Sequence, residues 1–205
     1  MRRRDLILGD RGYSHRAGVA HVVDHGGDVI VRLVSTNFPL ERGRPGQPFA
    51  LLAALRTVRG RQPREWAVTF TVAGRRYPAR LCAIRKSAAA AAQARQRAIR
   101  VATKKQRQIQ PGTLEAMDYV FVLTTVAAPV LDTVQVLDLY RVRWQVELAF
   151  KRLKSLMHAG HVPKYHGASA RAWIQAKLLC VLLIEQLQQA ARFFSPWGFP
   201  LPGPQ

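Results

Sequence analysis

The amino-acid sequence predicts an α/β fold interrupted by a basic, β-rich segment. A strand, a helix and a second strand follow one another in the first 33 residues, which is the order expected of an α/β core. The middle of the chain contains a hairpin pattern, and the last third is helical. We therefore divide the chain into a core of residues 1–33 and 127–194, an insertion of residues 34–126, and a flexible tail of residues 195–205.

Three elements are predicted near the N-terminus. Residues 5–9, Asp-Leu-Ile-Leu-Gly, are predicted to form a short buried strand that ends at the sequence Asp-Arg-Gly-Tyr of residues 10–13. Ser14 is expected to cap a helix that ends near His25, because a serine hydroxyl accepts a hydrogen bond from a free N–H of the first turn. Residues 28–33 alternate in polarity and are predicted to form the second strand.

The insertion is predicted to contain a β-hairpin, a helix and a further strand. Residues 66–72 and 77–84 alternate in polarity on either side of a turn at Gly74-Arg75, which is typical of a hairpin. Residues 86–109 are rich in alanine, have a serine near their start, and are expected to be helical, with Pro-Gly beyond the end. Residues 119–126 are apolar and predict another strand.

The charge balance points to a polyanionic partner. The chain has 32 lysines and arginines against 12 acidic residues, a formal charge of +20. Nucleic acid is the commonest partner for such a chain, and an anionic membrane is the second candidate. Eleven basic residues and no acidic residue lie between Glu65 and Glu115, which favours phosphate contact over a merely solvated surface. We select three of them as DNA contacts: Arg100, Lys104 and Lys105.

Other classes of protein are disfavoured. The longest apolar run, residues 178–184, is far shorter than the roughly twenty residues that span a bilayer. The basic start is followed by too short an apolar run for a secretory signal. Cys82 and Cys180 are isolated, so neither a disulfide framework nor a cysteine zinc site is predicted. We expect no membrane partner and a location in the cytoplasm, associated with the nucleoid.

Two helices are predicted in the last third, the first from Asp132 or Thr133 to Met157 and the second from Ser169 to Phe193. Apolar residues flank a polar stripe on the first helix, so the stripe is expected to face the protein interior. At about 100° per residue, four polar residues fall within an arc of about 60°: Tyr140, Arg143, Glu147 and Lys154.

The polar stripe has two interpretations. Burying ions costs several kcal/mol each unless each ion has a partner. One interpretation is an ion-pair network in which Glu147 pairs with Arg143 and Lys151, one turn away on either side. The other is a cleft in which Glu147 binds a metal ion and the cations face phosphate groups. Composition and spacing leave both open.

The same stripe carries a resemblance to a known family. Residues 140–155 resemble the Y-x2-R-x3-E-x6-K motif of DDE transposases of the insertion-sequence-four group, and all four fixed positions match. Residues 6–13, Leu-Ile-Leu-Gly-Asp-Arg-Gly-Tyr, are similar to the strand end that carries the second catalytic aspartate of that family. The resemblance covers the chain up to its tail. It implies an RNase H-like core, here partial, with the β-rich insertion between its second and third acidic residues.

The resemblance also implies a chemistry and a set of residues. Family members hold two divalent cations, Mg²⁺ or Mn²⁺, with three carboxylates, and they cleave and transfer DNA strands at transposon ends. By position, Asp10 and Glu147 match catalytic, metal-binding carboxylates. The implied partners are double-stranded DNA and another transposase chain. The residues implied or selected as DNA contacts, besides those of the insertion, are Tyr140, Arg143, Lys154, Lys151 and Arg32; for Arg32, a plain surface role is the alternative.

One departure from the family limits the expected activity. The first aspartate of the triad lies on the first core strand, and this sequence begins just before Asp10. Asp5 is too close to Asp10 to replace it. We therefore expect the C-terminal portion of a transposase that is inactive alone. The alternative is a non-catalytic DNA-binding or interfering truncated product, and the four-position match disfavours an unrelated basic nuclease of the same fold.

Overall fold

Strands and helices are interspersed along the chain as far as residue 124, and two long helices follow. The computed structural model describes residues 5–34, 38–155, 162 and 166–191. The strands and helices are, in chain order, β1 (Leu6–Gly9), α1 (Arg16–Asp24), β2 (Asp28–Arg32), α2 (Leu51–Arg56), β3 (Arg64–Val72), β4 (Arg75–Arg85), α3 (Ala88–Lys104), α4 (Pro111–Ala116), β5 (Tyr119–Thr124), α5 (Thr133–Ser155) and α6 (Gly167–Ala191). The fold is mixed α/β, as the sequence predicts.

Two compact units divide the chain. The first ends at Arg143, within α5, and the second begins at Trp144 and contains the rest of α5 and α6. Each unit is described by itself.

All five strands belong to one sheet in the order β1-β2-β5-β4-β3. β1 is parallel to β2, while β2, β5, β4 and β3 pair antiparallel in succession. β5 lies between β2 and β4 and is antiparallel to both. β1, β2 and β4 therefore run in the same direction, and their C-terminal ends lie on the same side of the sheet. The sheet also continues without a break from the segment predicted as core into the segment predicted as insertion. The division of the chain at residues 33 and 126 stays a prediction.

The central strands bury both of their faces. Ile30, Cys82 and Val122 face α5 and pack with residues of its first turns. Their neighbours along the strands, such as Val31 and Leu123, point to the opposite face and pack into the larger core cluster. Strands buried on both faces are apolar almost throughout, which is why these segments read as strands in the sequence.

The start of α1 differs from the prediction. His15, not Ser14, is the N-cap, and its ring Nδ1 accepts a hydrogen bond of 3.0 Å from the Gly18 N–H. Ser14 is buried instead, at the end of a single 3₁₀ turn formed by Arg11–Tyr13. The prediction was wrong because this turn takes up the residues before the helix and moves its N-cap by one position.

The hairpin and the alanine-rich helix also shift at their ends. The tight turn consists of Ala73 and Gly74, both with positive φ (47° and 79°), one residue earlier than predicted. The helix α3 begins after Ser87, whose hydroxyl caps it, but ends at Lys104, five residues before the predicted end. Pro111 begins the six-residue helix α4 instead of only following a helix, a position that suits proline because its missing N–H has no partner there.

The first of the last two helices begins at Thr133 as predicted, and the second begins at Gly167, two residues before the predicted Ser169. Asp132 and Gln135 form a reciprocal cap at the start of α5: Oδ1 of Asp132 accepts from the Gln135 N–H at 2.8 Å, and Oε1 of Gln135 accepts from the Asp132 N–H at 2.9 Å. The predicted ends at Met157 and Phe193, and the tail of residues 195–205, lie outside the described residues.

Part of α6 is apolar over a longer stretch than the sequence run suggested. Gly167–Ile184 has a mean hydropathy of 1.3 over 18 residues, and it is the one described segment long and apolar enough to cross a membrane by length and composition. It also contains Arg171 and Lys177. A single helix of this kind is weak evidence for a membrane span, and the absence of a membrane partner stays a prediction.

Candidate functional site

An open cleft of about 1030 Å³ lies in the first unit, at the edge where β1, β2 and β4 end. α3, the segment that follows it, and α5 up to Arg143 complete the wall. One lining residue, Asp10, is acidic, and seven are basic: Arg11, Arg32, Lys86, Arg97, Lys105, Arg107 and Arg143. The cleft is therefore strongly positive, as a site for an anionic ligand would be.

Asp10 is positioned by the end of β1. Its backbone stays extended (φ −84°, ψ −172°), and Oδ1 accepts a hydrogen bond of 2.7 Å from the Gly12 N–H. This local bond fixes the carboxylate as the chain turns. The preceding Gly9 allows close packing on β2, since a Cβ there would lie 3.1 Å from Cγ2 of Val31. Asp10 is thus held, half-buried, on the wall of the cleft.

Three cations lie at the sheet edge beside Asp10. Arg32 is the last residue of β2, Arg11 begins the 3₁₀ turn after β1, and Lys86 follows β4. Partial burial, and after it the charges of Arg32 and Arg11, lower the pKa of Lys86 to about 8, while Asp118 opposes them. Burial and then Arg32 also lower the pKa of Arg11. Arg32 is therefore close enough to Arg11 and Lys86 to destabilise the charged forms of both.

One face of α3 forms the opposite wall. Gln93, Arg97, Val101 and Lys105 recur at intervals of four residues, so the helix presents them on one side, and all four line the cleft. On another side, Arg95 pairs with Asp118 at 2.6 Å and connects the helix to the segment before β5. Two of the predicted DNA contacts, Arg100 and Lys104, are exposed on α3 but do not line the cleft, whereas the third, Lys105, does.

The first turns of α5 contribute Tyr140 and Arg143. Tyr140 is only 7% exposed because its ring packs on the sheet with Ile30 and Val122. Its hydroxyl is buried and has no hydrogen-bond partner among the described residues. The Arg143 guanidinium lies 5.6 Å from the centre of the Tyr140 ring, within the range of a cation–π contact. The structure therefore brings Asp10, Arg32, Tyr140 and Arg143 to one cleft.

The remaining residues of the polar stripe belong to the second unit. Glu147 is half-buried, and Nζ of Lys151 lies 5.0 Å from the centre of the Trp144 ring. The side chain of Lys154 lies outside the described residues. Trp144 is 49% exposed and Val142 in the first unit 54% exposed, so the apolar flank expected around the stripe is not buried at these two positions.

Four cations of the cleft were not selected from the sequence. Two had a signal: Arg11 directly follows Asp10, and Arg97 falls in the four-residue repeat that ends at Lys105. Nothing in the sequence distinguished Lys86 and Arg107 from the other basic residues of the insertion, because their positions depend on how β4 and the segment after α3 fold. Among the described residues, no group of three or more histidine, cysteine or acidic side chains lies close enough to hold a metal ion.

Comparison with known proteins identifies the family. A sequence model of the transposase DDE domain matches residues 1–183. The chain belongs to the DDE transposase family. Among DDE transposase relatives, InsL of insertion sequence element IS186A from Escherichia coli (strain K12) is 40% identical over 124 residues, which is 60% of this chain and 34% of InsL. The transposase for insertion sequence element IS421 from Escherichia coli is also 40% identical over 124 residues, 33% of its length.

These matches confirm the resemblance that Tyr140, Arg143, Glu147 and Lys154 carry in the sequence. The matched segment spans about a third of the length of each DDE transposase relative.

Proposed function

We propose that this chain is the portion of a DDE transposase that binds the phosphate backbone of transposon-end DNA and supplies two carboxylates, Asp10 and Glu147, for phosphodiester cleavage and strand transfer. The observation that carries the proposal is the cleft in which seven cations surround Asp10. Lysine and arginine that neutralise phosphates release counterions, which supplies affinity without regard to sequence. A reactive carboxylate amid these cations would lie beside the DNA backbone.

The tyrosine and arginine on α5 have roles that suit this arrangement. The Tyr140 ring is fixed against the sheet beside the cleft, and its buried hydroxyl has no hydrogen-bond partner among the described residues. The adjacent Arg143 guanidinium presents several N–H donors and is able to bind two phosphate oxygens at once. Together they would hold one DNA strand against the wall that carries Asp10.

A pair of carboxylates suits Mg²⁺ or Mn²⁺, because hard oxygen ligands match these cations. Asp10 would hold the metal from the end of β1, with its orientation fixed by the Gly12 N–H, and Glu147 would hold it from α5. When bound, such ions activate the attacking oxygen and stabilise the departing oxygen of a phosphodiester. The chemistry of the donors supports an RNase H-like arrangement of the site.

The described residues contain no cluster of three such ligands. We therefore propose that a third carboxylate comes from another polypeptide segment, and that these 205 residues do not cleave DNA by themselves. The test is incubation of the purified chain with labelled terminal-repeat DNA and Mg²⁺ or Mn²⁺. Metal-dependent cleavage that disappears in Asp10→Asn would contradict the incomplete site while supporting the role of Asp10.

DNA binding is tested separately by fluorescence anisotropy with a labelled duplex at several salt concentrations. Reversing one charge in the cleft, Arg97→Glu, should weaken binding at least tenfold and flatten the dependence on salt. Arg61→Glu is the matched control, because Arg61 is exposed in the turn before β3 and does not line the cleft. Equal losses in both variants would mean that net charge, not the cleft, governs binding.

The absence of a three-ligand cluster among the described residues also favours a second candidate, a non-catalytic product that binds DNA or interferes with complete transposase. Competition between a terminal-repeat duplex and a scrambled duplex separates the two. Selective binding of the terminal repeat by an inactive chain supports the regulatory product. Equal, salt-sensitive binding of both duplexes supports a catalytic portion that needs the rest of the protein for recognition. Co-purification with a tagged full-length chain would identify another transposase chain as partner.

A further inference from the structure

Three strands place one cation each at the same end of the cleft. β1, β2 and β4 run in the same direction, so the residues at or just after their ends meet at one sheet edge. These residues are Arg11, Arg32 and Lys86. Their convergence therefore follows from the strand order and not from a run of basic residues in the sequence.

The three charges of this trio outnumber the one carboxylate that lines the cleft in the described part of the chain, that of Asp10. No ion pair of Arg11 or Arg32 is found there, and Nζ of Lys86 donates to a neutral partner, the Met117 carbonyl. Arg32 lowers the pKa of both other cations, and Asp118, which raises that of Lys86, is itself paired with Arg95. Holding three like charges together costs free energy, which an anion bound between them would offset.

The Tyr140 hydroxyl is an independent sign of a ligand at the same place. It belongs to a residue that lines the cleft and whose side chain is more than nine-tenths buried, and no described residue accepts a hydrogen bond from it or donates one to it. It also lies near enough to Arg11 to affect its pKa. A buried hydroxyl normally has a partner, so this one is available to a ligand in the cleft.

We propose that Arg11, Arg32, Lys86 and the Tyr140 hydroxyl form a binding site for a single phosphate group, which in the working protein is one phosphodiester of the DNA. The inference deepens the proposed function and rests on it for the source of the phosphate. A phosphate fits because its tetrahedral oxygens accept hydrogen bonds from several directions, and the four donors come from four different elements. Free inorganic phosphate offers the same chemistry and is the other source.

The test uses the full 205-residue chain and variants that remove one donor each: Arg11→Gln, Lys86→Met and Tyr140→Phe. Arg61→Gln is the control, since Arg61 is exposed in the turn before β3 and does not line the cleft. We expect each site variant to lose about tenfold or more in affinity for a labelled duplex, and the control less than about threefold. Circular dichroism and the melting temperature show whether each variant is folded.

The dependence of affinity on salt distinguishes one shared phosphate from diffuse attraction. The slope of log K against log salt falls by about one for each phosphate that the protein no longer neutralises. If the donors hold one phosphate, the double variant Arg11→Gln/Lys86→Met should have the same salt slope as either single variant. A second equal drop in slope, or equal affinity losses in Arg61→Gln, would overturn the single site.

Binding of inorganic phosphate, measured by ³¹P line broadening, separates this inference from the proposed function. If the chain binds no DNA but binds phosphate through Lys86 and Tyr140, the anion site stands as a site for free phosphate, while its assignment to DNA and the proposed function both fail. If the chain binds DNA in the cleft and the site variants behave as the control does, the proposed function stands and the phosphate site is wrong.

Discussion

Nη1 of Arg80 lies 2.6 Å from Oε2 of Glu65, across the β3–β4 pair. The same guanidinium donates from Nε to the Val126 carbonyl at 2.9 Å and from Nη2 to the Leu131 carbonyl at 2.7 Å. Glu65 in turn accepts from the Thr133 hydroxyl at 2.6 Å. One arginine, with a side chain only 12% exposed, therefore connects the hairpin to the start of the helix that carries Tyr140 and the rest of the polar stripe.

Replacing Arg80 with leucine should lower the free energy of unfolding by about 2–4 kcal/mol, because two carbonyls and a carboxylate lose their donor. The matched control is Arg141→Leu. Arg141 pairs with Asp138 on the exposed surface at 3.4 Å, so its loss should change stability by less than about 0.5 kcal/mol. Urea unfolding followed by circular dichroism measures both. Similar losses in the two variants would show that Arg80 does not have this structural role.

A second prediction concerns the close approach of β1 to β2. In Gly9→Ala the new Cβ would lie 3.1 Å from Cγ2 of Val31 and 3.3 Å from Cβ of Tyr13, so the strand end must shift. We expect a loss of about 1–3 kcal/mol, as in other overpacked sites. Amide hydrogen exchange should become faster in β1 and β2. Gly167→Ala adds a Cβ in open space and should leave those amides unchanged.

The elements could be predicted because their signals are local. β2 and β5 are short apolar runs, and α3 begins at a capping serine. Two short helices, α2 and α4, were missed because six residues are fewer than two turns and show no periodicity. The order of the strands was not predictable, because the pairing of β2 with β5 joins residues at least 90 positions apart and depends on the whole core.

Some residues of the candidate site could likewise be predicted from local sequence signals, and others could not. Asp10, Tyr140 and Arg143 could be placed from the motif and from helix geometry, and they line one cleft. Lys86 could not, since it is one basic residue among many until β4 is known to run parallel to β2. The phosphate site that we propose is thus a product of strand order, which a linear pattern of charges does not contain.

Lys86 should make the free energy of unfolding increase with pH in the alkaline range. Its pKa falls from the ordinary 10.5 to about 8 in the folded chain, mainly through burial. Between these values the folded form has already released a proton that the unfolded form still holds, so the free energy of unfolding should rise as pH increases from about 8 to 10.5. Lys86→Met should remove this component, while Lys104→Met, at an exposed position on α3, should keep it. Unfolding curves at pH 7.5, 9 and 10 give the comparison, and an unchanged slope in Lys86→Met would contradict it.

Proton uptake on DNA binding gives a last, independent check of the same lysine. In the free chain, burial and the charges of Arg32 and Arg11 lower the pKa of Lys86, and Asp118 raises it. A phosphodiester beside Lys86 would favour the charged lysine and so raise its pKa. At pH 8.5, where the free lysine is partly neutral, binding should therefore take up a fraction of a proton. Phosphodiesters do not titrate in this range, so the proton is taken up by the protein. Calorimetry in two buffers of different ionisation enthalpy measures the uptake, which Lys86→Met should lose and Lys104→Met should retain. Equal uptake in both variants would assign the proton to another group and remove Lys86 from the phosphate site.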